Sequence, residues 1–328
     1  MFPKQRKRRL RNSDSIRKIV SEINLTVNDL ITPIFLTEGE KIKEEIESMP
    51  GYFRLSLDLL EEEIDSLWGL GLKAVLLFAK IPNKLKDNKG TEALNENGLM
   101  QKGIKLIKSI NPEILVISDV ALDPYSSYGH DGIVLDNKIV NDETNKVLSK
   151  MALSHAKAGV DFVSPSDMMD GRIGEIRSVL ENNGFKNTGI MSYSVKYASN
   201  LYSPFRDALS SSPGFGDKKT YQMDFHNRKE AISETLLDID EGADIVIVKP
   251  GIFYLDIISD LNTKINQPIA AYQVSGEYAM LKAAQSKGWI DYDSVIYENL
   301  IAFKRAGCSM IITYCAKDVA RILNSKKY

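Results

Sequence analysis

Residues 241–251 read Glu241-Gly242-Ala243-Asp244-Ile245-Val246-Ile247-Val248-Lys249-Pro250-Gly251. From Ile245 to Val248 every position is apolar, on both alternations. That pattern predicts a strand buried on two faces, as in a parallel sheet covered by helices. Gly242 stands where the preceding amphipathic stretch would end, because glycine enters the left-handed conformation of a helix C-terminus without steric cost. The same unit of helix, glycine and strand recurs. It appears as Trp68-Gly69-Leu70-Gly71-Leu72-Lys73 before 74–79 and as Ala158-Gly159-Val160-Asp161 before 162–165. A further copy is Ala306-Gly307-Cys308-Ser309 before 310–314.

Working outward, eight apolar runs have strand length: 30–36, 74–79, 114–120, 162–165, 188–195, 245–248, 268–274 and 310–314. Helical patterns at 57–70, 99–109, 143–158, 173–181, 228–241, 253–261, 278–285 and 293–305 fall between most of them. This alternation predicts a (β/α)8 TIM barrel over 26–328, preceded by an extended N-terminal arm over 1–25. A doubly wound open sheet is the alternative, but no glycine-rich phosphate fingerprint follows the first strand. Only 197–227 breaks the alternation. These residues show no clear period, follow the fifth strand and are expected to form a lid on the catalytic face.

Composition narrows the class. The chain has 328 residues, 43% hydrophobic and 26% charged, with a formal charge of -2, as in a globular protein rather than a disordered one. No apolar run is long enough for a membrane span, and the first residues lack the apolar core of a secretory signal. Cys308 and Cys315 are the only cysteines; across an extended strand they would lie more than roughly 20 Å apart, too far for a disulfide. A reducing, cytoplasmic setting is expected. The arm concentrates Lys4, Arg6, Lys7, Arg8, Arg9 and Arg11. A nucleic-acid arm is one reading. No basic helix follows, however, and the rest of the chain is net acidic, which favours packing on a neighbouring subunit.

Two lysines stand out. Lys196 ends the run from Gly189 to Val195, and Lys249 ends Ile245–Val248. Consecutive barrel strands lie about 4.8 Å apart, and both ends are C-terminal, hence on the catalytic face. Burial and mutual repulsion lower an ammonium's pKa toward neutrality, and a neutral amine condenses with a ketone to form a Schiff base. A carbonyl substrate follows, with two substrate molecules or one nucleophile and a helper. A class I aldolase would need only one such lysine. Other strand ends carry Asp119, Ser166, Ser275 and Tyr314, polar groups suited to a carboxylate or a proton. The lid offers Tyr202, Arg206 and Lys218 for an anionic substrate.

Several long motifs then occur in order. They are Met191-Ser192-Tyr193-Ser194-Val195-Lys196, Pro204-Phe205-Arg206-Asp207-Ala208, Val248-Lys249-Pro250-Gly251 and Tyr272-Gln273-Val274-Ser275-Gly276-Glu277-Tyr278. From Arg6 to about Leu323 the chain resembles the porphobilinogen synthase (5-aminolaevulinate dehydratase) family. The resemblance implies a barrel with an N-terminal arm, assembled as an allosteric homo-octamer. It implies a hydro-lyase that condenses two 5-aminolaevulinate molecules to porphobilinogen with loss of two waters, early in haem and chlorophyll biosynthesis. Lys249 would bind the molecule that becomes the propionate side, with Ser275 and Tyr314 on its carboxylate. Lys196 would bind the second, with Arg206 and Lys218 on its carboxylate. Asp119, Tyr202 and Ser166 would support them. Lys218 stands where the family often has Arg, which keeps the charge and loses the bidentate fork.

The resemblance departs at a metal segment. Zinc-dependent members carry three cysteines where this chain has Ala121, Asp123 and Asp131. Alanine cannot ligate, and two carboxylates suit a hard ion such as magnesium, so this chain looks like the zinc-free, Asp-bearing branch. Asp123 and Asp131 could hold a metal, or simply be solvated as exposed loop residues. Glu234 matches the ligand of the family's activating Mg2+. No organic cofactor is expected, and no partner beyond substrate and further copies of the chain.

Overall fold

The structure, a computed structural model, describes residues 3–325. Met1 and Phe2 of the expected arm, and 326–328 of the expected barrel, lie outside the described residues.

Eight parallel strands close into a barrel: β1 (Leu30–Thr37), β2 (Ala74–Lys80), β3 (Leu115–Val120), β4 (Phe162–Pro165), β5 (Gly189–Lys196), β6 (Ile245–Lys249), β7 (Ile269–Gln273) and β8 (Met310–Thr313). Each pairs with the next, and β8 returns to β1 through Leu30↔Ile311 and Ile31↔Ile312. All eight expected strands are found, with ends within a residue or two. Helices cover the outside: α1 (Leu60–Gly69), α2 (Leu99–Ile110), α3 (Asn141–Lys157), α4 (Arg172–Asn182), α5 (Glu230–Asp240), α6 (Leu255–Asn262), α7 (Ser275–Ser286), α8 (Tyr292–Ala306) and α9 (Ala316–Asn324). In α2 Leu99, Met100, Gly103, Ile104 and Ile107 are buried at the three-to-four spacing of one helical stripe, with Gln101 buried beside them.

The recurring glycine unit works as its chemistry requires. Gly71, Gly159, Gly242 and Gly307 all have positive φ. In each case the next residue's N–H reaches back to a carbonyl five positions earlier: Leu72 to Leu67, Val160 to His155, Ala243 to Asp238 and Cys308 to Phe303. This closure satisfies the last helical carbonyls and turns the chain into the next strand.

Short elements escape the sequence pattern. Lys43–Glu45 and Phe53–Leu55 form a hairpin whose second strand pairs parallel with β1. Another hairpin, Ile133–Leu135 with Lys138–Val140, turns through Asp136 and Asn137 at positive φ. Three residues are too few to show an alternation. The stretch 197–227, expected to lack regular structure, contains a 3-10 turn at Asn200–Tyr202 and a lid helix at Ser203–Leu209. Seven residues make under two turns, too short for helical periodicity to register. The expected arm carries a short helix, Asp14–Ile19, and among the described residues none from Pro3 to Val20 is buried. Cys308 and Cys315 are both free and buried.

Close packing between β4 and β5 uses a glycine. Phe162 pairs with Gly189, and a Cβ at Gly189 would lie 2.1 Å from the Phe162 ring. Gly189→Val should therefore cost about 1–3 kcal/mol by overpacking. Urea unfolding measures it, and an unchanged midpoint would contradict this packing.

Candidate active site

The register of β5 and β6 pairs Lys196 with Lys249 directly. Both side chains are buried, at 5% and 4% exposure. Lys249 projects among four aromatic rings, its Nζ 4.6 Å from the centre of Tyr272, 4.8 Å from Phe205, 5.0 Å from Tyr202 and 5.1 Å from Tyr193. Burial, joined by the neighbouring Lys196 charge and opposed by Asp119, Asp123 and Asp131, pushes the Lys249 amine down to about 7. A substantial fraction is therefore uncharged and nucleophilic near neutral pH.

Lys196 has a different environment, although the strand pattern treats the two alike. Its Nζ donates to the Ser166 carbonyl and lies 3.3 Å from Asp131 Oδ2. Asp131 also receives Lys218 Nζ at 2.6 Å, and Lys218 lies 3.4 Å from Asp123. Asp123 and Asp131 are thus buried and lysine-paired, not the exposed loop residues that the sequence allowed. Burial would raise the Asp131 carboxyl, but Lys196 and Lys218 outweigh it and hold it well below the usual range. Burial likewise works against the Lys218 charge, and the two aspartates outweigh it and raise its pKa.

Asp119, at the end of β3, is 5% exposed and has Oδ1 without a hydrogen-bond partner. Burial, then the charge of Asp123, pushes its carboxyl up to about 7. It is suited to exchange protons with an amine of similar pKa.

Lys196, Lys249, Asp119, Asp123, Ser166, Tyr202, Arg206 and Lys218 all line one small cavity, so residues from four strand ends and the lid converge. Its free volume is about 20 Å³, room for about one water, which needs roughly 10–15 Å³. Ser275 and Tyr314 do not line this cavity. Ser275 Oγ instead accepts from the Phe205 N–H of the lid helix at 3.0 Å, and Tyr314 shares a 2.9 Å hydrogen bond with Tyr272. Tyr202 donates to the Lys249 carbonyl at 3.1 Å. Gly276 lets the lid come close, since a Cβ there would be 2.6 Å from the Leu201 carbonyl oxygen.

Sequence reasoning did not single out Gln222 or Phe205 as cavity residues. Gln222 lines the cavity, donates to Asp131 at 3.4 Å and keeps its buried Oε1 without a partner. Nothing in its local sequence marks it; only the folding of the lid over Asp131 does. Phe205 lies inside a quoted motif, but its place against Lys249 follows from the lid's position.

Glu234 lies apart, half-buried on α5, in a second cavity of about 950 Å³ with Asp170, Glu230 and the lid residues Asp217 and Asp224. Its carboxyl is raised by burial, then by Asp238, against the pull of Arg172, with Asp170 and Glu230 adding to the rise. Among the described residues, no three His, Cys, Asp or Glu side chains converge as metal ligands.

The family model described as delta-aminolevulinic acid dehydratase matches residues 4–322. The delta-aminolevulinic acid dehydratase of Halalkalibacterium halodurans is 49% identical over 323 residues, 98% of each chain. That of Methanothermus sociabilis is 54% identical over 318 residues, 97% of this chain and 98% of its own. A crystal structure from Toxoplasma gondii ME49, delta-aminolevulinic acid dehydratase (porphobilinogen synthase) with its reaction product porphobilinogen, superposes with a TM-score of 0.97. It is 45% identical and covers 99% of this chain and 95% of its own.

The Lys249 environment sets a pH dependence. Below about 7 the neutral amine falls about tenfold per pH unit, so imine formation at Lys249 should rise with pH and level off above 7. Lys196→Met removes a repelling charge and leaves Asp131 less compensated. Both changes favour protonated Lys249, so the midpoint should move to higher pH. Borohydride trapping with a keto substrate, followed by peptide mapping, reads this directly. A midpoint that stays put or falls in the variant would contradict the coupling.

Proposed function

The chain belongs to the delta-aminolevulinic acid dehydratase family, and from that premise we propose that Lys249 and Lys196 divide its two substrate molecules between them. The reaction is the condensation of two 5-aminolaevulinate molecules to porphobilinogen with release of two waters. The observation that carries the division is the direct pairing of the two lysines at adjacent strand ends over one cavity.

In this reading the neutral Lys249 amine attacks the ketone carbon of the first molecule. The carbinolamine loses water to leave the imine. Asp119, with its pKa near that of Lys249, takes and returns the protons. Ser275 and Tyr314 take the first carboxylate, which requires Ser275 to exchange its bond with the Phe205 N–H for the substrate. The second molecule forms its imine on Lys196, and Arg206 holds its carboxylate with Lys218 beside it. Ser166 supports this by accepting the Lys196 amine on its backbone carbonyl, and Tyr202 by holding the backbone carbonyl of Lys249. The aromatic cage keeps water from the imine nitrogen.

Metal enters this proposal at one place. Ala121 offers no donor, and lysine charges already compensate Asp123 and Asp131, so the donor set does not suit a zinc site of thiolate type. Glu234 does suit magnesium, which binds through few carboxylates and keeps its waters. Burial, and then the surrounding acids Asp238, Asp170 and Glu230, raise its pKa, and a divalent cation would offset both. Bound there, magnesium would supply charge neutralisation away from the lysines.

The arm is proposed to contact neighbouring subunits in a homo-octamer. Its exposed apolar residues support this: Leu10 at 51%, Ile19 at 79% and Val20 at 42%. A cytoplasmic setting is proposed from the two free cysteines. Among the described residues no helix is long and apolar enough to cross a membrane.

Lys249→Arg should abolish turnover, because a guanidinium forms no imine, and Lys196→Ala should do nearly the same. Porphobilinogen formation by either purified, folded variant at the wild-type rate would overturn the assignment. For the metal, activity should rise with magnesium and stay unchanged under zinc-selective chelation. Glu234→Ala should remove the magnesium response and keep residual turnover. Titration alongside size-exclusion profiles tests this; an undiminished response in the variant would remove Glu234 from the site.

A further inference from the structure

Arg206 reaches the cavity from a lid helix too short to be stable on its own. Something outside the helix must set its position. At the N-terminal end, Ser275 Oγ receives the Phe205 N–H. At the other end the final carbonyls have no intrahelical donors, as at any helix C-terminus.

Arg54 meets them. It lies on the short strand Phe53–Leu55, more than 150 residues away in sequence, and is 7% exposed. Its Nε donates to the Ala208 carbonyl at 2.6 Å and its Nη2 to the Asp207 carbonyl at 2.8 Å. Its Nη1 lies 2.9 Å from Glu44 on the facing strand, and Lys80 at the end of β2 meets the other Glu44 oxygen at 3.3 Å. Lys86 adds a 2.9 Å bond to the carbonyl of Ser210, the left-handed residue that ends the helix. A planar guanidinium can face two carbonyls and a carboxylate together, and a cation suits the negative end of the helix. Arg54 does not line the lysine cavity.

We propose that Arg54 is a positioning residue for the reaction: by clamping the lid helix at Ala208 and Asp207, it aims Arg206 at the carboxylate of the second substrate molecule. This rests on the role given to Arg206 above. Lys86 is a second, weaker hold, and the hairpin between β1 and α1 serves to present the clamp.

The test compares Arg54→Ala, Arg54→Lys, Lys86→Ala and Arg206→Ala in the full-length enzyme. For Arg54→Ala the substrate concentration at half-maximal rate should rise about tenfold, as expected for losing charge-assisted hydrogen bonds. kcat and borohydride trapping at Lys249 should remain near wild type, and amide exchange over 203–209 should accelerate. Arg54→Lys should recover part of the loss, and Lys86→Ala should show a smaller rise. A merely structural role would instead lower kcat, trapping and melting temperature together, and that result would overturn the proposal. So would unchanged half-saturation and exchange in Arg54→Ala beside an impaired Arg206→Ala. Should Arg54→Ala fail to fold, Arg54→Lys and Lys86→Ala carry the comparison, and wild-type half-saturation in both would overturn it. Unchanged half-saturation in Arg206→Ala would remove the Arg206 assignment instead.

Discussion

Two amines on register-paired ends of adjacent strands impose a charge problem that organises the face of this barrel. Neither can be buried charged without compensation, and the two repel each other at strand spacing. The protein resolves the conflict asymmetrically. Lys249 is surrounded by aromatic rings and loses its proton readily. Lys196 is given Asp131. Asp131 then serves Lys218 as well, so the lid contributes to the charge balance of the barrel floor. Asp131 lies between Lys196 and Lys218, so the compensation around Lys196 depends on where 197–227 place Lys218. Lid position and lysine chemistry are thereby linked through one carboxylate.

The same asymmetry extends to the segment that follows β3. Ala121 offers only a methyl group there, and lysine ammonium groups satisfy the carboxylates of Asp123 and Asp131. Positive charge is still supplied to the region, from side chains of the chain itself. The acidic neighbourhood of Glu234 lines a second cavity, which shares Gln222 with the lysine cavity.

The lid is assembled from remote parts of the chain. Its helix rests on Ser275 at one end and on Arg54 at the other, while Tyr202 and Phe205 complete the cage around Lys249. The cavity beneath has room for about one water in this structure. The helix also buries Ala208 and Leu209 in the continuous core, so apolar packing holds it as well as these hydrogen bonds.

Strand and helix positions were legible in the linear chain because burial on both faces and helical stripes leave periodic signals, and glycine marks four of the helix ends. The two lysines were legible for a related reason: a charged residue closing an apolar run is conspicuous. The hairpin at 43–55 and the lid helix were not, since three to seven residues are shorter than the period that would betray them. Nor could sequence distinguish the two lysines, bury Asp123 and Asp131, or bring Gln222 and Arg54 to their partners. Periodicity is a property of neighbours along the chain, and it determined the barrel and the strand ends. Charge state, cage and clamp depend on groups from different strands and the lid, remote along the chain, meeting in space, and only barrel closure and lid docking decided those meetings.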